Sequence, residues 1–84
     1  GDGLMTREEY LAWARRYVLT LGARFPQRLF TVNDVRDKRP PPEDVDPRIM
    51  GRIFTSDHWE KIDYVPSGRA VNNNRPIARF RRYT

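Results

Sequence analysis

Arg48 and Arg52 stand four residues apart in the stretch DPRIMGRIFTS, on the side opposite an apolar set made of Ile49, Met50, Ile53 and Phe54. A guanidinium holds paired N–H donors in a fixed plane, a geometry that fits a phosphate or the O6 and N7 edge of guanine. Thr55 falls on the same side at helical spacing and adds a hydroxyl. A second group gathers toward the C-terminus. Arg69 and Arg75 flank a Gly- and Asn-rich stretch that includes Asn73, and Arg79 and Arg81 alternate with Phe80. Strand alternation would put 79 and 81 on one side and 80 on the other. The chemistry these residues share is the neutralisation of a polyanion, one contact at a time.

Catalytic constellations are weak by comparison. His58 is the single histidine, and the nearby Asp57, Glu60 and Asp63 lack the convergent spacing of a metal site. There is no cysteine nucleophile, no phosphate-cradling glycine loop and no Ser–His pairing. A noncatalytic chain with no cofactor and no metal is expected, and His58 reads as a helix C-terminal residue facing the end dipole.

The formal net charge of +5 is unevenly placed. Residues 1–46 carry eight basic side chains against eight acidic ones, whereas residues 47–84 carry eight against three, so the second half holds the whole excess. Arginine outnumbers lysine fourteen to two, which a G- and C-rich genome would also produce. Codon bias raises arginine everywhere, however, and does not segregate it, so the asymmetry points to a polyanionic partner.

The elements that must position these side chains follow from periodicity and caps. At 84 residues without cysteine, the chain has room for one small domain held by its core alone. Residues 1–5 read as a flexible lead-in and 6–84 as a single domain. Thr6 and Glu9 form a capping box with Met5 packing on Tyr10, and Tyr10, Leu11, Ala14, Tyr17, Val18 and Leu21 make one buried stripe ending at Gly22 as cap. Pro26 ends that helix, and Arg28 to Phe30 form a short extended piece. Thr31 and Asp34 repeat the cap signature for a two-turn helix, the prolines at 40–42 form a stiff spacer, and Asp46 caps a third helix with Pro47 at its first position. Gly51 inside that helix suggests another group packed closely on it. Ile62, Tyr64 and Pro66 alternate with Asp63 and Val65, and PIARFRRY reads as the returning strand of a hairpin. No segment has the design of a signal peptide or a membrane span, so a cytoplasmic setting without a membrane partner is expected.

The order helix, short strand, helix, spacer, helix, hairpin is that of an α+β winged helix-turn-helix: three helices, a short strand after the first, and a C-terminal β-hairpin wing. The stretches FTVNDVRD, the proline-rich spacer, DPRIMGRIF, YVPSGRA and NRPIARFRR resemble the small winged-helix proteins of actinobacterial phages and prophages. Residues 30–82, roughly two thirds of the chain, carry the likeness. Such proteins show a threonine and aspartate opening the second helix, a glycine in the third, a Ser-x-Arg on the wing and a basic-aromatic last strand. Met50 stands where they show a tryptophan. The resemblance implies DNA binding in phage regulation or replication, within the host cytoplasm, and carries no catalytic residue. The expected partner is duplex DNA, with Arg48, Arg52 and Thr55 in the major groove and Arg69, Asn73, Arg75, Arg79 and Arg81 on the wing. Two other readings stay open: docking to a host or phage protein through Trp13, Trp59 and the prolines, and single-stranded nucleic acid or RNA binding through Tyr64, Tyr83 and nearby arginines.

Overall fold

The computed structural model describes residues 6–66 and 76–83. Thr6 opens α1 (Arg7–Arg24): its hydroxyl accepts from the Glu9 N–H at 3.1 Å, and the Glu9 carboxylate accepts from the Thr6 N–H at 3.0 Å. Each bond satisfies a donor that a helix start otherwise leaves without a partner. The Thr6 backbone N–H, and then its hydroxyl, hold the Glu9 pKa below its ordinary value. Met5, the expected staple partner of Tyr10, lies outside the described residues.

The stripe on α1 buries Tyr10, Ala14 and Val18 completely, with Leu11, Tyr17 and Leu21 half-buried along its edges. Gly22 is not the cap. The helix runs on to Arg24, and Phe25 closes it by donating its N–H to the Leu21 carbonyl at 2.8 Å. Glycine is needed at 22 for room, because a Cβ there would stand 2.8 Å from Trp59 Cη2 and 3.2 Å from Arg82 Cβ.

In α2 (Val32–Lys38) the capping box recurs, the Asp34 carboxylate accepting from the Thr31 N–H at 2.8 Å. The Tyr10 hydroxyl donates to the Arg39 carbonyl at 2.8 Å and fastens α1 to the end of α2. Burial raises the Tyr10 pKa, against the opposing pull of Arg36 and Arg39. Behind the prolines the Val45 N–H donates to the Pro42 carbonyl at 3.1 Å, closing a turn that plants Val45 in the core.

The third helical segment, Pro47–Arg52, is a 3₁₀ helix rather than the α-helix its caps suggest. Its N–H groups reach back three residues, Ile49 to the Asp46 carbonyl at 3.1 Å and Ile53 to the Met50 carbonyl at 3.4 Å. Six residues that begin at proline and contain Gly51 have little propensity for full α turns. Phe54 must also leave the helical path to stack on Phe80, with centroids 4.5 Å apart. Close packing on Gly51 is not found among the described residues, none of whose atoms lies within 4 Å of where its Cβ would be.

The strands β1 (Trp59–Pro66) and β2 (Pro76–Arg82) pair antiparallel, with a bulge between Lys61 and Asp63. On the other edge of β2, Phe30 and Phe80 exchange both backbone hydrogen bonds at 2.8 Å. That bridge ties the segment before α2 to the hairpin. Below it, Trp59 meets Phe30 and Phe54 edge-on, at 5.7 Å and 4.9 Å between centroids. Trp59 is 3% exposed and so belongs to the core, not to a docking surface. The described residues thus form an α+β fold with two α-helices and one two-stranded antiparallel sheet. None of its helices is long and apolar enough to cross a membrane.

The two glycines give opposite expectations. Gly22→Ala should destabilise the chain by about 1–3 kcal/mol through overpacking on Trp59. Gly51→Ala should be neutral or stabilise by up to about 1 kcal/mol. Urea unfolding followed by tryptophan fluorescence measures both.

Candidate nucleic-acid interface

The 3₁₀ segment puts Arg48 and Arg52 on the surface, both exposed, and no described carboxylate pairs with either guanidinium. The tighter winding separates them by about 8 Å along the axis and turns them about 120° apart, where an α-helix would have stacked them within one face. Their backbone is held in place: the Arg48 N–H donates to the Asp46 carboxylate at 2.9 Å, and the Arg52 carbonyl accepts from Arg15 Nε at 2.9 Å. The guanidinium groups therefore project from a fixed main chain.

Thr55 does not join them. It lies beyond the 3₁₀ segment, half-buried, with its carbonyl accepting from the His58 and Trp59 N–H groups, and it lines a cleft shared with Arg15 and Leu19 of α1. The α-helical spacing that grouped it with the arginines ends at Arg52. His58 is likewise not at a helix end; it sits in the turn before β1, and its carbonyl accepts from the Tyr83 N–H and from Arg82 Nη1, each at 3.0 Å.

On the hairpin, Arg79 and Arg81 do share one side of β2, as alternation requires, but each has an acid opposite. Arg79 binds both oxygens of Asp63, with Nε at 2.6 Å from Oδ1, and Arg81 reaches Glu60 at 3.4 Å. Residues 60 and 63 are an odd number apart and would point to opposite faces of a regular strand. The extra residue of the bulge at Ile62 restores both to the face of 79 and 81. Hydrogen bonding to Arg79 lowers the Asp63 pKa, and the same contact raises that of Arg79. Arg69, Asn73 and Arg75 lie outside the described residues.

Two further features belong to the same surface. Tyr64 and Tyr83 are 60% and 48% exposed, although alternation puts Tyr64 with Ile62 on the apolar side of its strand. Arg36 and Lys61, far apart in the chain, line the same groove between α2 and the hairpin. Among the described residues no group of three or more His, Asp or Glu side chains could hold a metal ion. No family model, curated protein or solved structure matches the chain.

The Asp63 contact has a pH consequence. Because the folded-state pKa of Asp63 lies below the unfolded one, its contribution to stability is complete above the unfolded pKa and is lost as pH falls through the folded value. Urea midpoints recorded across the acid range should show this limb in the wild type. In Asp63→Asn that component should be missing.

Proposed function

We propose that the chain is a noncatalytic winged-helix domain that binds duplex DNA. Arg48 and Arg52 point toward the major groove in this reading, and the basic hairpin lies along the phosphate backbone. The Phe30–Phe80 pairing carries it: the short segment between the first two helices joins the returning strand of the hairpin, as the wing of such a domain requires. The exposed guanidiniums of the 3₁₀ segment supply the contacts. A six-residue 3₁₀ helix offers only a short edge to a groove, so phosphate contacts provide most of the affinity and the two arginines most of the sequence preference.

Arg79 and Arg81 enter by exchange. Their carboxylate partners are surface groups, and exposed ion pairs hold their members weakly enough for a phosphate to replace an acid. Asp63 and Glu60 then act as competitors for the wing. Regulation of phage transcription or replication is the biological setting this reading implies.

A second reading, docking to a host or phage protein, is favoured by one observation on α1. Trp13 and Tyr17 stack at 5.3 Å with Arg39 over the indole at 4.6 Å, and both rings stay partly exposed. A complex that survives nuclease treatment and ignores the Arg48 and Arg52 substitutions would support it instead.

Fluorescence anisotropy with a random-sequence duplex pool tests the leading reading. The wild type should bind at low salt, with a log–log salt slope that falls by about 0.9 for each phosphate-binding arginine removed. Arg48→Ala with Arg52→Ala should weaken binding by roughly 1–3 kcal/mol for each base edge the arginines hold, and should relax sequence preference. Asp63→Asn should tighten binding and steepen the slope, because it frees Arg79. Absence of binding to any duplex, or indifference to the double substitution, would contradict the assignment.

A further inference from the structure

A cavity of about 330 Å³ opens between α2, the 3₁₀ segment and the hairpin, lined by Val32, Met50, Ile77, Ala78 and Phe80. Three observations converge on it. The first is Gly51, at its mouth. Glycine within a helical segment is unfavourable relative to alanine, and it is usually retained where something packs against the bare backbone. Nothing in the described chain does so: the space a Cβ would enter is open, and the residue is exposed. The missing side chain keeps the groove accessible.

The second observation is Arg36, which also lines the cavity. Its Nε is buried and has no hydrogen-bond partner, the one such side-chain atom among the described residues. A buried donor without an acceptor is unfavourable, and a charged one more so, unless a ligand or a small rotation of the guanidinium supplies the acceptor. The third is the sign of the charge around it. Lys61 adds a second cation to the lining, and no acidic side chain contributes to it among the described residues.

An apolar floor, two cations and no anion define the complement: a hydrocarbon body carrying one negative group. The volume lies near the lower end of small-molecule sites and well short of a folded partner. A base edge or sugar is too polar to gain from Met50, Ile77 and Phe80. We propose that this groove binds a small apolar carboxylate, aromatic or branched aliphatic. Its body rests on Met50 and Phe80, Arg36 takes the carboxylate, and Lys61 strengthens the positive field. The site stands independently of the DNA reading, although a ligand there touches both the segment bearing Arg48 and Arg52 and the strand bearing Arg79.

The test is an NMR titration of the full chain, free of nucleic acid, with 4-phenylbutyrate and with its uncharged primary amide. Saturable shifts should centre on the Val32, Met50 and Ala78 methyls, with the carboxylate at least about tenfold tighter than the amide, as expected for a charge-assisted contact. Arg36→Met, which keeps the aliphatic stem, should bring the carboxylate down to the amide's affinity. Gly51→Leu, whose Cβ enters open space beside the cavity, should abolish both. Should Gly51→Leu fail to fold, the carboxylate-to-amide ratio in the wild type and in Arg36→Met still decides. Equal affinities, shifts centred elsewhere, or perturbation of these methyls by a duplex but not by the carboxylate would overturn the proposal.

Discussion

Phe80 is where the two halves of the molecule meet. Its backbone exchanges two 2.8 Å hydrogen bonds with Phe30, its ring stacks on Phe54 at 4.5 Å, and its β1 partner is Lys61. One residue thus joins the pre-α2 segment, the stretch just past the 3₁₀ segment and both strands of the hairpin. Aromatic pairs contribute about 0.5–1.5 kcal/mol beyond their buried area. With Trp59 edge-on to Phe30 and Phe54, the cluster is a large share of what a small domain has, since net stability is only about 5–15 kcal/mol. Without it the hairpin would be a two-stranded ribbon, which is marginal in water alone.

The cluster fixes where charge can act. Because Phe54 stacks on Phe80, the helical path ends at Arg52, and the preceding turns present Arg48 and Arg52 from a backbone pinned by Asp46 and Arg15. Because Phe80 faces the core, Arg79 and Arg81 face away from it, toward Asp63 and Glu60. Among the described residues these four arginines therefore differ: Arg48 and Arg52 pair with no described carboxylate, whereas Arg79 and Arg81 already hold acids. On the DNA reading the first group needs no rearrangement to meet a phosphate, while the second must give up a carboxylate.

Local signals in the sequence are legible because their physics is local. The capping boxes at Thr6 and Thr31, the stripe of Tyr10, Ala14 and Val18, and the alternation of Arg79, Phe80 and Arg81 all appear as expected. Both glycines mislead, and for one reason. A glycine announces that space matters but not who occupies it: at Gly22 a tryptophan from another element uses the space, and at Gly51 no described residue does. The bulge at Ile62 is invisible for a similar cause, since the alternating run gives no sign of an extra residue. It makes Ile62 the extra, exposed residue and brings Tyr64 to the face of Ala78 and Phe80, where it nonetheless stays exposed. An α-helical third segment would carry Thr55 and His58 along its length, but tertiary packing winds that segment tighter and ends it sooner.

On the DNA reading, the 3₁₀ segment and the returning strand, joined through the stacking of Phe54 on Phe80, both meet the duplex. The most direct test is a backbone amide NMR footprint of the chain on a duplex. The account predicts perturbations concentrated on Arg48 to Arg52 and on Ala78 to Arg81, with the Trp13 and Tyr17 face of α1 unchanged. A footprint centred on that α1 face, or one that touches the hairpin and spares the 3₁₀ segment, would contradict it.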